Sequence, residues 1–298
     1  MSNAEHRFGR AALVGRPNVG KSTLLNALLG TRLSIVTPKA QTTRHRIAGI
    51  VTRPDAQVVF IDTPGLHEAG RRALNRQMNR IARQVPDEAD VLVHVVDGLR
   101  WRDEDEEVWK LVAARAASCL LAINKVDLQA DKTALLPFAR RITNERPYAG
   151  VHFVAARRGD GVDALLDDVV GRLPVGPAVH ADDEYTDRSE RFLAAELVRE
   201  QLMLQLAAEL PYSTAVEIEG FTDEPAITRI GAVIWVERDS QKGIVIGAGG
   251  ERLKKIGSAA RRAMERLFDR RVFLELHVRV RASWSDDAAA LRRFGYSD

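Results

Sequence analysis

Residues 15–22 read GRPNVGKS, and their types and spacing suit the binding of a phosphate chain. Gly15 and Gly20 let backbone N–H groups converge on phosphate oxygens, and the start of the following helix adds a favourable dipole. Lys21 is placed to neutralise the β- and γ-phosphates, while the hydroxyl of Ser22 suits Mg²⁺. The motif predicts a nucleoside triphosphate site but does not name the base.

The DTPG motif at Asp62–Gly65 closes the apolar run VVFID. At the end of a strand, Asp62 can reach Mg²⁺ through a water molecule, and the Gly65 N–H can meet the γ-phosphate. The predicted phosphate-binding residues are Gly15, Asn18, Val19, Gly20, Lys21, Ser22, Thr23 and Gly65.

The NKVD motif at Asn124–Asp127 ends another apolar run and predicts which base is bound. The Asp127 carboxylate can accept two N–H bonds, from N1 and the 2-amino group of guanine. Adenine lacks that amino group, and a buried carboxylate without donors is costly, so we expect ATP to be rejected. In isolation Asp127 would be interpreted as a helix cap or turn residue; after the two phosphate motifs, guanine recognition is the stronger interpretation.

These motifs, in this order, resemble those of small GTPases related to translation factors. The resemblance implies that Thr43, in QTTRHR, completes the Mg²⁺ shell with Ser22 and the water-linked Asp62 when GTP is bound. Thr42 is adjacent and is the open alternative.

The resemblance also implies a fifth motif at residues 154–157, where this chain departs from the family pattern. Ala155–Ala156 stand where the family usually has Ser-Ala. The essential contact is a backbone N–H, so Ala156 is still expected to reach the guanine carbonyl. The predicted guanine-binding residues are Asn124, Lys125, Asp127, Ala155 and Ala156.

Hydrolysis of GTP is predicted to be slow and to depend on positioning and charge, because the sequence offers no convincing catalytic base. Leu66 stands where many relatives have a water-orienting Gln. In some relatives with an apolar residue there, a P-loop Asn matching Asn18 helps to hold K⁺, which makes K⁺ a candidate cofactor. His45 and His67 flank the switch segments, and we expect neither to be catalytic.

A second glycine-rich turn, Gly247-Ala248-Gly249-Gly250, follows QKGIVI and precedes a basic helical stretch. It lacks the Lys-Ser ending of the first loop, so it does not suit a triphosphate with Mg²⁺. Between two helical segments it resembles the Gly-x-x-Gly turn of a KH domain, which clamps single-stranded nucleic acid. The usual basic residue between the glycines is absent. The RNA-binding residues that the resemblance implies are Gly247, Ala248, Gly249, Gly250, Lys254, Lys255, Arg261 and Arg262.

Apolar runs that alternate with amphipathic stretches predict parallel strands at 11–15, 58–65, 90–98, 119–127 and 151–156. These runs are apolar throughout, so helices are expected on both faces, as in the doubly wound, mostly parallel α/β sheet of a P-loop GTPase. The run 47–53 alternates and predicts an edge strand.

Residues 175–190, with Pro, Gly and acidic residues, are predicted to link a first domain at 1–174 to a second at 191–298. An amphipathic helix is expected near 188–208. The order α-β-β-α-α-β then predicts a smaller α+β domain with an antiparallel sheet, an order that resembles the type II KH domain of bacteria.

Charge and cysteine content restrict the class of protein. The net charge is +3, but residues 238–281 hold 12 Lys and Arg against 5 Asp and Glu, which favours a polyanion-binding face. Cys119 is the single cysteine and lies in an apolar run, which indicates a buried strand residue in a reducing cytoplasm. No apolar run is long enough to predict a membrane span.

The combination of these two domains resembles the Era family over nearly the whole chain, including KAQTTRHR, DTPGLH, NRQMNR and WSDDAAALRRFGY. This resemblance implies binding near the 3′ end of small-subunit ribosomal RNA, with the pre-ribosomal subunit as partner and a role in its assembly. The expected cofactors are GTP or GDP and Mg²⁺, and the expected state is a cytoplasmic monomer. The resemblance also implies peripheral association with the inner face of the cell membrane, as in some members of the family.

Two other interpretations stay open at this point. In one, the chain is a GTPase whose second domain contacts protein or membrane, and the turn at 247–250 is vestigial. In the other, the chain is an RNA-binding scaffold whose nucleotide site is only structural.

Overall fold

The computed structural model describes residues 5–65 and 72–296, which form two compact units. Among the described residues, the first unit contains 5–34, 43–65 and 78–187. The second unit contains 35–42, 72–77 and 188–296. Each unit is therefore assembled from separate stretches of chain.

The first unit is built on a six-stranded sheet. Its strands are β1 Arg7–Val14, β2 Ile47–Arg53, β3 Ala56–Asp62, β4 Val91–Asp97, β5 Cys119–Asn124 and β6 Gly150–Phe153. They lie side by side in the order β2-β3-β1-β4-β5-β6. The antiparallel edge strand β2 pairs with β3, and the other strand pairs are parallel. The doubly wound, mostly parallel sheet is confirmed, with each predicted strand present.

In the part of the chain that the structure describes, five α-helices accompany this sheet: α1 Lys21–Leu29, α2 Ala73–Glu88, α3 Asp103–Val112, α4 Leu135–Glu145 and α5 Val162–Arg172. The first residues of α2, 73–77, are grouped with the second unit. Val85 of α2 and Trp109 of α3 pack with Leu92 of β4 in one cluster of buried apolar residues. The next residue, Val93, points to the opposite face and is also fully buried. Both faces are covered, which explains why the strands are apolar throughout.

Cys119, the first residue of β5, is fully buried in this core. Burial raises the pKa of its thiol to about 12, so the thiolate is not populated near neutral pH. The structure agrees with a buried strand residue and not with a reactive thiol.

The stretch predicted as a linker is held along the first unit up to residue 187. Phe8 N–H donates to Pro174 O at 3.1 Å, Gly176 N–H donates to the His6 carbonyl at 2.9 Å, and Ile50 N–H donates to the Tyr185 carbonyl at 2.9 Å. These backbone hydrogen bonds tie residues 174–185 to the sheet, so in this structure the unit continues past the predicted boundary at 174.

The second unit has the element order α6 Glu190–Gln205, β7 Ala215–Glu224, β8 Ile227–Val236, α7 Asp239–Ile246, α8 Glu251–Phe268, β9 Val272–Val280 and α9 Ala288–Arg293. Up to β9 this is the predicted order. The sheet order is β7-β8-β9. The prediction of an antiparallel sheet is wrong in one respect: β7 and β8 are antiparallel, but β8 and β9 are parallel. The reason is that α7 and α8 form a crossover that returns the chain to the same end of the sheet.

Residues 35–42 belong to the second unit because charged side chains of α6 hold their backbone. Glu200 accepts the Val36 N–H at 3.0 Å, and Arg199 donates to the Thr42 carbonyl. Lys39 donates in turn to the Met203 and Leu206 carbonyls near the end of α6. Arg199 and Glu200 are almost fully buried, a feature that the predicted amphipathic helix does not include.

His94 lies on β4 with no exposed surface. Its Nδ1 is 2.7 Å from the Tyr148 hydroxyl, and its ring meets Trp101 edge-on at 5.6 Å between centroids. Burial, with smaller contributions from Lys21 and Arg146, lowers the pKa of His94 to about 3. The imidazole of the folded protein is therefore neutral at neutral pH.

Acidification from pH 6.5 to 5 should lower the free energy of unfolding through His94 by roughly 1.5 kcal/mol. The unfolded imidazole takes up a proton below about pH 6.5 and the folded one does not, so this stabilisation is lost as the pH falls. Urea unfolding of the wild type and His94→Gln at both pH values measures the effect as a difference. Equal pH dependence in the two proteins would contradict a buried, neutral His94.

Candidate functional site

The first glycine loop connects β1 to α1 at the carboxyl edge of the sheet. Gly20 has φ +101°, and a Cβ there would lie 2.3 Å from Asn124 Nδ2, so a side chain is excluded by both conformation and space. Lys21 is buried, and its Nζ donates to the Gly15 carbonyl at 2.7 Å and the Arg16 carbonyl at 3.0 Å. The ammonium group is thus held inside the loop.

The charge of Lys21 is poorly compensated within the protein. Burial lowers the pKa of Lys21 to about 8, against an opposing attraction from Asp62. A phosphate group brought to the loop would supply the missing negative charge and favour the protonated amine. The electrostatics of the loop therefore suit a polyanionic ligand.

Three oxygen-bearing side chains converge beside Lys21. Ser22 Oγ lies 2.6 Å from Asp62 Oδ2 and 2.8 Å from Thr43 Oγ1, and Thr43 Oγ1 lies 3.5 Å from the same carboxylate oxygen. The Thr42 hydroxyl instead contacts Thr37 and the Lys39 carbonyl. The geometry therefore groups Thr43, and not Thr42, with Ser22 and Asp62.

This cluster has the chemistry of a magnesium site. Asp62 is fully buried, which raises its pKa, and its Oδ1 has no hydrogen-bond partner in the part of the chain that the structure describes. A hard divalent cation would compensate the buried carboxylate and prefers oxygen ligands of this kind. The residues present fit Mg²⁺.

Asn124 connects three loops at the carboxyl edge of the sheet. Its Nδ2 donates to the Val19 carbonyl at 2.9 Å, while its Oδ1 accepts from Lys125 N at 2.8 Å and Ala156 N at 3.1 Å. The sequence assigns the Ala156 N–H to the guanine carbonyl; in this structure that N–H donates to Asn124. Ala155 is buried beside it, and its N–H donates to the Asp160 carbonyl at 2.9 Å.

Lys125 and Asp127 follow on the same loop. Lys125 adopts φ +62° and its Nζ donates to the Asn18 carbonyl at 2.7 Å and to Asp97 at 3.1 Å. Asp127 lies in a short 3₁₀ turn, half-buried at the edge of the loop. Lys125 thus links its own loop, the NKVD loop, to the first glycine loop. Asp97 is a second partner of Lys125, and no sequence motif pointed to it.

The remaining predicted residues of the first unit are placed as follows. Val19 is fully buried, Asn18 adopts φ +63°, and Thr23 is half-buried on α1. A Cβ on Gly65 would lie 2.7 Å from Pro17 N, so this backbone passes close to the phosphate loop. His45 is buried, while Leu66 and His67 lie outside the described residues.

The second glycine turn joins α7 to α8. Gly247 has φ +74°, and a Cβ there would lie 2.8 Å from Arg252 Cβ. Arg252 also donates to the Ile244 carbonyl at 2.6 Å, a staple across the turn that sequence reasoning missed. Ala248 and Gly249 are exposed and uncharged, so the turn offers its backbone to a ligand without a charge of its own.

The predicted basic residues lie along α8, and most of them face solvent. Lys254, Lys255 and Arg262 are exposed, whereas Arg261 is half-exposed and pairs with Glu265 at 2.6 Å. The three exposed cations line a groove of about 600 Å³ together with Gln205, Glu251, Ser258 and Ala259. This groove presents three positive side chains on one helix, which suits a nucleic-acid backbone.

No helix in the described ranges combines the length and the apolar character needed to cross a bilayer.

Two family models match the chain. One, described as a 50S ribosome-binding GTPase, matches residues 10–125, and the other, described as a KH domain, matches residues 209–285. The GTPase Era of Xanthomonas oryzae pv. oryzae is 54% identical over 296 residues, which is 99% of each chain. The GTPase Era of Stenotrophomonas maltophilia is 53% identical over 291 residues, which is 98% of each chain.

Two solved Era structures superpose on the chain with a TM-score of 0.94 at 38% identity, covering 98% of this chain and all of theirs. One is an Aquifex aeolicus Era variant bound to GDP and AlF4⁻. The other is Era in complex with MgGDPNP and nucleotides 1506–1542 of 16S ribosomal RNA.

Asn124→Ala should weaken GDP binding by about 100-fold. It removes three hydrogen bonds that hold the phosphate loop, the base loop and the Ala156 loop in register, worth about 1 kcal/mol each. Titration with a fluorescent GDP analogue measures the effect, and Asn144→Ala, at an exposed position on α4, is the matched control. Equal affinity in both variants would show that the bridge is dispensable.

Proposed function

Because this chain belongs to the Era family of GTPases and hydrolyses GTP, we propose that it is a molecular switch that binds small-subunit ribosomal RNA near its 3′ end and assists assembly of that subunit. The observation that carries this proposal is the extent of the match. Relatives described as GTPase Era align over 99% of the chain. The match therefore includes both the first unit, here the GTPase unit, and the second unit, here the KH unit. The Era complex with a 16S ribosomal RNA fragment supports the choice of RNA.

We assign the phosphate and metal sites to the residues that converge at the first loop. The backbone from Gly15 to Thr23 and the N–H of Gly65 bind the phosphates, and Lys21 neutralises them. Ser22 and Thr43 would hold Mg²⁺ directly and Asp62 through water, as their mutual distances of 2.6–3.5 Å support. When bound, Mg²⁺ supplies positive charge to the phosphate oxygens.

Guanine is selected by Asp127, with Asn124 and Lys125 holding the loop in place. The hydrogen bonds of Asn124 to Val19 and Ala156 support this division of roles. The Ala156 N–H donates to Asn124 Oδ1 in this structure. It reaches the guanine carbonyl if that bond breaks, or if the N–H donates to both oxygens. Ala155, which is buried, packs beside the base.

Hydrolysis proceeds without a general base that can be named from the chain. Lys21 and the loop backbone orient and neutralise the phosphates, so that the protein contributes positioning and charge stabilisation. Asn18, whose backbone is fixed by Lys125 at 2.7 Å, is our candidate for a K⁺ ligand. The rate of GTP hydrolysis is accordingly slow.

The KH unit binds RNA through the turn Gly247–Gly250 and the cations of α8. Phosphates meet the exposed backbone of Ala248 and Gly249, and Lys254, Lys255, Arg261 and Arg262 extend the positive surface. We further propose that the protein acts as a cytoplasmic monomer on the pre-ribosomal subunit, with peripheral association at the inner membrane face in the manner of some relatives.

Asp127→Asn should exchange the base preference from guanine to xanthine. Xanthine carries a carbonyl where guanine has its 2-amino group, and an amide can donate to that carbonyl where a carboxylate cannot. Displacement of the fluorescent GDP analogue by GDP or by xanthosine diphosphate measures the preference. Retention of guanine preference would place base recognition elsewhere than Asp127.

The RNA assignment is tested with a matched pair of glycine substitutions. Gly249 and Gly171 both have open space around an added Cβ, but the φ of +56° at Gly249 strains a side chain, least for Asn and Asp, so Gly249→Asn controls for the backbone strain. Gly249→Asp places a negative charge on the turn and should weaken binding of a single-stranded RNA of the 16S 3′ end at least tenfold. Gly171→Asp adds the same charge on α5 and should leave RNA binding unchanged.

The outcome decides whether the second unit binds RNA or contacts protein or membrane. Equal RNA affinity in both Asp variants, at the level of a scrambled RNA, would favour a second unit that contacts protein or membrane instead. GTP hydrolysis by both variants should match the wild type, because neither substitution lies in the nucleotide site.

A further inference from the structure

Arg16 is the second residue of the phosphate loop, yet its side chain turns into the protein. The side chain is 7% exposed, and its Nε donates to Asp105 Oδ2 at 3.0 Å. Asp105 lies in the first turn of α3, 89 residues further along the chain, and its side chain has no exposed surface. This buried ion pair belongs to neither the phosphate, the guanine nor the metal set described above.

Asp105 is held from both sides. Its Oδ2 also accepts the Arg102 N–H at 3.0 Å, which fixes the carboxylate at the start of α3. Burial raises the pKa of Asp105, and the Arg16 guanidinium is the largest influence that opposes this shift. Removal of either partner would leave an uncompensated charge in the core, which is strongly unfavourable.

The backbone of Arg16 contacts the Lys21 amine, the group assigned to the phosphates. The Arg16 carbonyl accepts from Lys21 Nζ at 3.0 Å, next to the Gly15 carbonyl, which accepts at 2.7 Å. The guanidinium also lies 3.7 Å from Asp97, the residue that pairs with Lys125 at 3.1 Å. One side chain therefore connects helix α3, the peptide that holds Lys21 and the loop that reads the base.

We propose that Arg16 and Asp105 are positioning residues for nucleotide binding: their buried ion pair anchors the Gly15–Arg16 peptide, and this peptide orients Lys21. Both side chains point into the protein and contact each other, so their role is separate from that of the loop backbone that binds the phosphates. The ion pair fixes the Gly15 and Arg16 carbonyl oxygens. These oxygens bind the Lys21 ammonium group and so direct it toward the phosphate. A misplacement of about 1 Å at a positioned group can cost on the order of 100-fold in catalytic rate.

The test separates positioning from stability. Arg16→Met leaves Asp105 unpaired, so it should lower stability and weaken GDP binding about tenfold or more. The double variant Arg16→Met/Asp105→Val replaces the ion pair with apolar side chains of similar combined volume, which is often neutral for stability. It should recover the urea midpoint of the wild type but keep the weakened GDP binding, because the peptide has lost its polar anchor.

Glu104→Ala is the control, since Glu104 precedes Asp105 on the same helix and is exposed. It should leave both the urea midpoint and GDP affinity unchanged. The proposal fails if the double variant recovers GDP affinity together with stability, because the pair would then be a packing element alone. It fails equally if GDP affinity in folded Arg16→Met stays within twofold of the wild type.

Discussion

The proposed nucleotide site depends on one buried amide. Asn124 joins the loops that follow β1, β5 and β6, with one donated bond to Val19 and two accepted from Lys125 and Ala156. Parallel strands bring these loops to one edge of the sheet, but the loops are separate in sequence and have no strand pairing of their own. A planar group with donors at one end and an acceptor at the other gives them a common register.

Much of this arrangement could be predicted, because its determinants are local. GRPNVGKS, DTPG and NKVD each place a functional group directly after an apolar strand, and parallel strands bring those ends together. The parallel pairing of β8 with β9 was missed because alternation of polar and apolar residues is the same in either direction. The two helices predicted between these strands were the available signal, since a helical crossover joins parallel strands. The Arg16–Asp105 pair joins residues 89 positions apart and leaves no periodic signal.

The two glycine turns handle charge in opposite ways. At the first, Lys21 is withdrawn from solvent and its pKa is lowered to about 8, so the protein itself lacks the negative charge that the site requires. At the second, the turn is neutral and the cations of α8 remain in water. The first arrangement favours tight, stoichiometric capture of one polyanion, whereas the second favours a screened attraction that weakens with salt.

The contacts of residues 35–42 have a consequence for how the chain acquires its structure. Arg199 lies 157 residues after Thr42, the carbonyl that it holds. During synthesis at about 5–20 residues per second, the earlier segment waits on the order of ten seconds or more before helix α6 exists. Until then water must satisfy its backbone groups. Closure of this long loop is therefore a late and slow event in folding, and slippage there would leave charges of α6 buried without their partners.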